Sequence, residues 1–546
     1  MGSKQVKDPI YGYVTIPTEY ISQIIDKNVF QRLRRIIQTS YSPLYPSAIH
    51  NRFAHSIGVF HLGQIASNTV FDSLKNTTIN NDIDWARIVK IFNLACLLHD
   101  VGHAPFSHTG EKFFLDITDE NKRYSKLHEN LIKAVNTESL KNDIPKEDSK
   151  AAAPHEIMSA IIGINEFKEQ FNSDFEKEFF ARCITGYCFS SDKQENSMYN
   201  CFISLLNSKV IDVDRLDYLI RDAYFTGFET VNIDYVRLLT SLTIIETIRD
   251  DGEKRYKLAY NKNAISIIEN VVYAHDSERK WIQTHPAVLY DMYIIQHILN
   301  SLNSTFLEKD ISLFSIEALS PIGLEIAPNQ KISLLCDDDI VFLLKNNSQD
   351  ELFNEFFSRN TRRHPLWKSE SEYKAFLSLQ YGGNALKSLE NAFDETEKYL
   401  RKYSESWIIN DSIIDKIEKE LEKIKSSSPN DVDEKSRNKQ LKTKETILKL
   451  LTCMRKYVKE RGCSCDFVIL KSSQFYSTFN KIEFAKIPII FKSKKKNNVF
   501  DFEQIVSTLS SSKENEKDFF YLYFKCDKKC EFDKEEFCKV LYQEFM

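Results

Sequence analysis

Apolar residues recur at helical spacing through the first third of the chain. Between Tyr20 and Ile37 they stand at Ile21, Ile24, Ile25, Val29, Leu33 and Ile36, close to the 3.6-residue period of an amphipathic helix. Residues 86–98 are apolar almost all round, from Ile88 to Leu98, which predicts a central buried helix that stops before Gly102 and Pro105. The span 116–154 is polar and lysine-rich and predicts an insertion or mobile lid between two ordered helices. Helical periodicity resumes at His155 and continues through Asp214–Tyr224 and Ala264–Ile298. Leu400–Glu460 reads as a long charged helical stretch, interrupted by Ser426-Ser427-Ser428-Pro429-Asn430-Asp431. After it come short β-prone runs at Asp466–Leu470, Ile487–Lys492 and Phe519–Phe524, with helical patterns at Phe502–Leu509 and Lys534–Phe545. The expected fold is therefore mainly α. It comprises a helical core over 1–375, a helical connection over 376–460 and a small α+β lobe over 461–546.

Composition narrows the class. Apolar residues make up 42% and charged residues 28% of the 546 positions, which is globular rather than disordered. The net charge of −5 argues against a surface built to hold nucleic acid. No stretch approaches the roughly 20 apolar residues of a membrane span, so no membrane partner is expected. The opening residues lack a secretory h-region and the hydroxyl at position six that myristoylation prefers. Eleven scattered cysteines do not form a disulfide framework, and this predicts a reducing, cytoplasmic setting. Neither GxxxxGK(S/T) nor GxGxxG is present, which argues against a P-loop or Rossmann enzyme.

Four pieces carry chemistry: Arg52-Phe53-Ala54-His55, His99-Asp100-Val101-Gly102-His103 with Ser107-His108, His155-Glu156, and Asp212-Val213-Asp214-Arg215. The apolar helix before His99 buries an imidazole and a carboxylate side by side. A buried carboxylate is costly without a compensating cation. A divalent metal is the simplest one, and mixed His/Asp ligation suits Mg, Mn, Fe or Zn. Two adjacent ligands cannot close a site, so His55 and Asp214 are the expected completion. Arg52, one helical turn before His55, and Arg215, beside Asp214, are candidate anion clamps. Asp214, Tyr218 and Asp222 are spaced by four and share a face.

The ordered set H…HDxGH…SH…HE…DxDR resembles the HD-domain deoxynucleoside triphosphate triphosphohydrolases. The resemblance is closest to the members that carry a sterile-alpha-motif domain beside this core and to their bacterial relatives. The matching segments are DPIYGYVTIP (8–17), IIDKNVFQRLRRIIQTS (24–40), HNRFAHSIGV (50–59), HDVGHAPFSH (99–108), HEIMS (155–159) and IDVDRLDYLIRD (211–222). No sterile-alpha-motif domain is expected here, since the core begins almost at once. The resemblance implies an HD-superfamily helical core with metal ligands His55, His99, Asp100 and Asp214. It places His103, His108 and His155 around the α-phosphate, with Glu111 orienting His108. It further assigns Arg52 and Arg215 to phosphate, Gln38 to sugar and base, Tyr218 to the phosphates and Asp222 to the 3′-hydroxyl. Where the family has an Arg and then a Tyr-Gln pair against the sugar, this chain has His275 and then Gln283-Thr284. Leu127-His128-Glu129 is a rival to His155, which is preferred because Ser159 follows it by four as in the family. The resemblance also implies an activating nucleotide at Asp26, Gln31 and Arg34, which otherwise read as a solvated helix face, with Lys4 and Lys7 flanking them to help neutralise phosphates and a homo-oligomer, dimer or tetramer, as the partner state.

The function so implied is metal-dependent cleavage of a nucleoside triphosphate, expected to be deoxy, at the α-phosphate to nucleoside and tripolyphosphate. An HD phosphodiesterase or nuclease on cyclic or polymeric nucleotides would use the same ligands. A non-catalytic nucleotide sensor on the same scaffold is a third reading, and the intact ligand set counts against it. Cys463, Cys465, Cys526 and Cys530 have spacings unlike the usual zinc knuckles and read as buried free cysteines, and Lys492–Lys496 reads as a charged loop.

Overall fold

The structure is a computed structural model that describes residues 2–75, 83–115, 123–191, 193–248, 254–347, 351–403, 407–426, 434–463, 465–473, 477–478, 482–492, 497–506, 518–526 and 532–546. It is mainly α, as expected, and its contacts group into two units. One consists of 1–279, 302–347 and 477–512, and the other of 280–301, 348–476 and 513–546. The boundaries expected at 375 and 460 do not coincide with this grouping. Residues 477–512 fold onto the first unit because strand Pro488–Phe491 pairs parallel to Lys254–Asn261, extending the Leu242–Ile248 hairpin into a four-stranded sheet. Period-2 patterning predicts a strand but not the sheet it joins.

The first unit opens with an antiparallel hairpin, β1 (Ser3–Asp8) and β2 (Gly12–Pro17), whose Val14 and Ile16 point into the core. The helix predicted over Tyr20–Ile37 is broken. Short helical turns at Thr18–Tyr20, Ile21–Ile25, Asn28–Gln31 and Arg32–Arg35 are interrupted by an extended Lys27. Phe30 and Arg32 lie off the predicted stripe yet are buried, so the segment is enclosed on more than one side.

Two helices then form the centre. Helix α1 (Arg52–Leu74) is capped by the Asn51 side chain, which accepts the Ala54 N–H. Helix α2 (Trp85–Leu98) is capped by Asp84, which accepts the Arg87 N–H. They approach so closely that a Cβ on Gly63 would lie 2.5 Å from the Cys96 sulfur. Around them pack α3 (Ser125–Val135), α4 (Pro154–Glu166), α5 (Asp174–Thr185), α6 (Gln194–Leu206) and α7 (Val213–Thr226). Part of the expected lid over 116–154 is therefore ordered helix. Leu127, Leu131 and Val135 of α3 are buried at the spacing of one helical face, and α3 packs on α4. Residues 116–122 lie outside the described residues.

The second unit holds helices Gly383–Tyr403, Asp411–Ser426 and Glu434–Glu460, and most of the expected break at 426–431 is outside the described residues. Its sheet pairs Cys465–Ser473 with Asp518–Cys526 along their full length, and His364–Pro365 adds a short third strand. The Lys534–Glu544 helix completes it, with Phe537 buried against Phe467. Cys465 and Cys526 face each other across the ladder and form a disulfide, and Cys463 is also disulfide-bonded. This corrects the expectation of free cysteines: cross-strand register brings together thiols 61 residues apart in sequence. Cys530 and the run 493–496 lie outside the described residues. Among the described residues no helix is long and apolar enough to cross a membrane.

Candidate active site

Helices α1, α2 and α7 bring four expected ligands together. His55, in the first turn of α1, has its Nε2 3.2 Å from His99 Nε2 at the end of α2 and 2.9 Å from Asp214 Oδ1 at the start of α7. Asp100 closes the group, with Oδ1 3.5 Å from His99 Nε2 and Oδ2 3.7 Å from His55 Nε2. The outer nitrogens are already committed. His55 Nδ1 meets Asp217 Oδ2 at 2.7 Å and His99 Nδ1 meets the Cys96 carbonyl at 3.0 Å. Each Nδ1 can only donate there, so each Nε2 turns a lone pair toward the other and toward two carboxylates. That donor set is stable only around a shared cation or proton, and it fits a divalent metal. Burial acts to lower the His55 pKa, but the hydrogen bonds to Asp214 and Asp217 outweigh it and push it up to about 10. Burial acts to raise the Asp100 carboxyl, but Arg52, His99 and His55 hold it well below the usual carboxylate range.

A second cluster adjoins the first through Asp100, whose Oδ1 is 3.6 Å from His103 Nε2. The His103 and His155 rings stack with centroids 4.1 Å apart, and His108 stands edge-on to both at about 5 Å. Glu111 orients two of them, with Oε2 hydrogen-bonded to His155 Nδ1 and Oε1 3.5 Å from His108 Nδ1. His103 is fully buried and neither ring nitrogen has a hydrogen-bond partner. Burial and the neighbouring Arg52, His155 and His108 charges push its pKa well below the ordinary value. His155 goes the other way: burial lowers it, but the Glu111 charge and hydrogen bond push it up to about 9. One neutral and one cationic imidazole thus lie face to face, with a more exposed His108 beside them, an arrangement suited to an anionic oxygen. His128 is elsewhere, bonded to the Tyr187 hydroxyl at 3.0 Å and stacked on Tyr124, so His155 completes the ring. The Pro154-initiated α4 aims His155, and Gly102 lets the HD turn touch it: a Cβ there would lie 2.3 Å from the Ser159 nitrogen. Ser159 Oγ in turn accepts the Gly102 N–H at 2.9 Å.

The expected substrate residues divide. Arg52 reaches the centre, donating from Nη1 to Asp100 Oδ2 at 2.9 Å, from Nε to Ser107 Oγ at 3.0 Å and from Nη2 to the Gln38 carbonyl at 3.2 Å. Arg215 points to the turn before its helix. Its Nη1 donates to the Val210 and Lys209 carbonyls at 2.5 and 3.2 Å, because the 208–210 turn before α7 offers carbonyls within its reach. Tyr218 is half-buried on the same helix, one turn after Asp214, and burial raises its hydroxyl pKa. Asp222 is buried and bonded to His50 Nε2 at 2.6 Å, and the Gln38 side-chain oxygen nearby in the fold is buried with no hydrogen-bond partner. The backbone joins these two, since the Gln38 N–H donates to the His50 carbonyl at 2.9 Å. His275 bonds Thr478 Oγ1 at 3.0 Å. Gln283 and Thr284 belong to the second unit, where the Thr284 hydroxyl donates to the Lys280 carbonyl at 3.1 Å. Among the expected regulatory residues, Gln31 accepts from Arg34 Nε at 2.9 Å, and the Arg34 guanidinium covers the Phe53 ring. Lys4, Lys7 and Asp26 are exposed, and Lys7 lies over Tyr13.

Sequence reasoning passed over the support beneath His55. Asp217 accepts two hydrogen bonds from Arg221, at 2.8 and 3.0 Å, and one from the Tyr11 hydroxyl at 2.7 Å, while Arg221 also reaches Asp8 at 3.1 Å. The spacing Asp214, Asp217, Arg221 inside the motif was the available signal. Asp8 and Tyr11 come from the hairpin and had none.

The raised His155 pKa has a stability consequence. A His whose folded pKa exceeds its unfolded value stabilises the fold below the unfolded pKa, and that contribution is lost as pH rises through the folded one. For His155 the window runs from about 6.5 to about 9. The shift corresponds to roughly 3 kcal/mol at about 1.4 kcal/mol per unit. Metal-loaded protein is therefore expected to melt several degrees lower at pH 9.5 than at pH 7, and His155→Gln should flatten that part of the profile. Equal Tm slopes for the two proteins would refute the Glu111–His155 pairing.

The helical segment that ends in the His99-Asp100 pair lies within residues 52–174, which match the HD domain family. The similarity extends to proteins named deoxynucleoside triphosphate triphosphohydrolase SAMHD1. The Dictyostelium discoideum homolog is 33% identical over 245 residues (45% of this chain, 40% of that protein), and the Homo sapiens protein is 28% identical over 256 residues (46% and 37%). An uncharacterized Mycoplasma genitalium protein, MG461, is 28% identical over 271 residues, covering 48% of this chain and 52% of that one. The chain thus spans about half or less of the length of these relatives. A crystal structure of a hypothetical protein from Aquifex aeolicus shares the fold over both full chains, at a TM-score of 0.52 and 17% identity.

Proposed function

We propose that this chain is a divalent-metal-dependent phosphohydrolase that cleaves deoxynucleoside triphosphates at the α-phosphate, releasing deoxynucleoside and tripolyphosphate. The observation that carries the reading is the sharing of Asp100 between a cation site and an imidazole ring that lies 3.6 Å away. His55, His99, Asp100 and Asp214 would hold the metal, which supplies Lewis-acid polarisation of a phosphoryl oxygen and activation of water. Arg52, fixed beside Asp100, lies where the same phosphate would bind. Imidazolium His155 and neutral His103 face the opposite side of that phosphate, where negative charge leaves with the 5′-oxygen. His108 is the most exposed of the three and is oriented by Glu111, so it is the group to give that oxygen its proton. Asp222, positioned by His50, and Gln38 would meet the sugar. Tyr218 would lie along the phosphates, with Arg215 swung out of its carbonyl contacts. An activating nucleotide at Lys4, Lys7, Asp26, Gln31 and Arg34, a homo-oligomer, and a role in dNTP-pool control or phage defence extend the same reading. It is also the similarity to the named triphosphohydrolases that favours a triphosphate over a cyclic or polymeric nucleotide.

The test is incubation with each dNTP, each NTP, single-stranded DNA and a cyclic dinucleotide, with Mg or Mn, followed by chromatography. Deoxynucleoside and intact tripolyphosphate are the expected first products. Orthophosphate or a nucleoside monophosphate appearing first would mean that the site grips a different phosphate.

A further inference from the structure

The loop between His103 and His108 is held in an unfavourable backbone shape. Phe106 and Ser107 are consecutive non-glycine residues with φ of 56° and 54°, in the left-handed region that L side chains disfavour. Two such residues in a row persist only where their surroundings enforce them. The enforcing contact comes from a residue 231 positions away. Asp337, the first residue of the Asp337–Asn347 helix, accepts the Phe106 N–H on Oδ1 at 2.7 Å. Its other oxygen accepts the Ile37 N–H at 2.9 Å.

These two bonds close a ring. Ser107 Oγ donates to the Ile37 carbonyl and accepts from Arg52 Nε at 3.0 Å, while Arg52 Nη2 donates to the Gln38 carbonyl at 3.2 Å. The guanidinium is thus gripped by the two residues that directly follow Ile37 and Phe106, the residues Asp337 holds. Buried Arg32 reinforces the same joint, donating to the Leu335 carbonyl at 2.7 Å, to the Val101 carbonyl at 3.1 Å and to the His103 carbonyl. Asp337 touches neither the metal ligands nor the imidazole ring.

We propose that Asp337 is a positioning residue for the reaction: by stapling the Ile37 and Phe106 amides together it fixes the Arg52 guanidinium against Asp100 at the phosphate-binding face. This rests on the reading of Arg52 as a phosphate ligand, and the experiment separates the two. Hydrolysis of a dNTP mixture is measured for wild type, Arg52→Ala, Asp337→Ala and the double variant, with kcat expressed per metal-loaded chain. If the substrate panel shows a different nucleotide to be turned over, the cycle is run on that one.

Misplacing a reacting group by about 1 Å costs on the order of 100-fold, so Asp337→Ala should lower kcat by about 10- to 100-fold with metal content unchanged. Asp337→Asn, whose amide oxygen can still accept one N–H, should fall between Ala and wild type, and it carries the cycle if the Ala variant does not fold. Since Asp337 acts through Arg52, the double variant should be no slower than Arg52→Ala within about threefold. A role confined to stability would lower the yield of folded chain without changing kcat per metal-loaded chain. Full activity of Asp337→Ala, or effects that multiply in the double variant, would overturn the inference. Wild-type rate in Arg52→Ala would remove the phosphate role of Arg52, and the route through which Asp337 acts would fall with it.

Discussion

Replacing Asp100 with Ala is expected to remove both the bound divalent metal and all hydrolysis while the fold survives. Its two oxygens each face one ligating imidazole, at 3.5 and 3.7 Å, and Oδ2 also takes the Arg52 Nη1 bond at 2.9 Å. Without them the site would keep two imidazoles and Asp214, whose side chain is 38% exposed, and an uncompensated Arg52 would repel any cation placed beside it. The fold has other holds in this region. Arg52 retains Ser107 and Gln38, and His55 retains Asp217. Loss of a buried carboxylate also removes a desolvation cost. Metal analysis and circular dichroism of the purified variant check the prediction. Stoichiometric metal with hydrolysis intact would falsify the ligand assignment.

The second large effect concerns His108→Ala. Loss of a general acid typically slows a reaction by about 10²–10⁴-fold, and that range is expected for cleavage here. Metal content should not change, because His108 contacts none of the four ligands of the first cluster. Stability should change little, because its side chain is 57% exposed. If the residual product remains deoxynucleoside with tripolyphosphate, the site still grips the same phosphate and has lost only its proton donor. A normal rate would move the acid to another member of the ring, and a loss of metal would show that the two clusters are one. The Glu111–His155 pair bears on this assignment too. The Glu111 carboxylate holds His155 cationic, so in the proposed reaction it would serve charge rather than proton transfer.

Much of this centre was legible because its ligands sit at the ends of strongly patterned helices. The apolar run into His99 named α2, and the abrupt placement of His-Asp at its end named the candidate metal pair. His55 and Asp214 followed as first-turn residues of α1 and α7. The same logic left His155 and His128 as rivals, since both precede Glu at the start of a helix. Ser159, four residues after His155, favours His155 on the sequence, and packing sets the two apart: α4 faces the HD turn through Gly102 and Ser159, whereas α3 turns His128 to Tyr187. Arg215 was a different case. Its position beside Asp214 suggested a clamp, but adjacency along a helix sets two residues about 100° apart, and its contacts with the carbonyls of the preceding turn had no signal in the sequence.

What the sequence determined by itself was local: helical periods, the buried character of α2, the order of the motifs and the chemistry available at each. Those follow from backbone geometry, which maps spacing onto a face within one element. What only the tertiary structure decided was which faces meet. Asp8 meets Arg221 across 213 positions and Tyr11 meets Asp217 across 206, Asp337 braces Phe106 across 231, and Cys465 pairs with Cys526 across 61. A polar residue's spacing reports the direction in which it points, but not the partner that satisfies it. The partner is selected when the apolar faces pack, because buried donors and acceptors must then be paired with whatever the packing brings within reach.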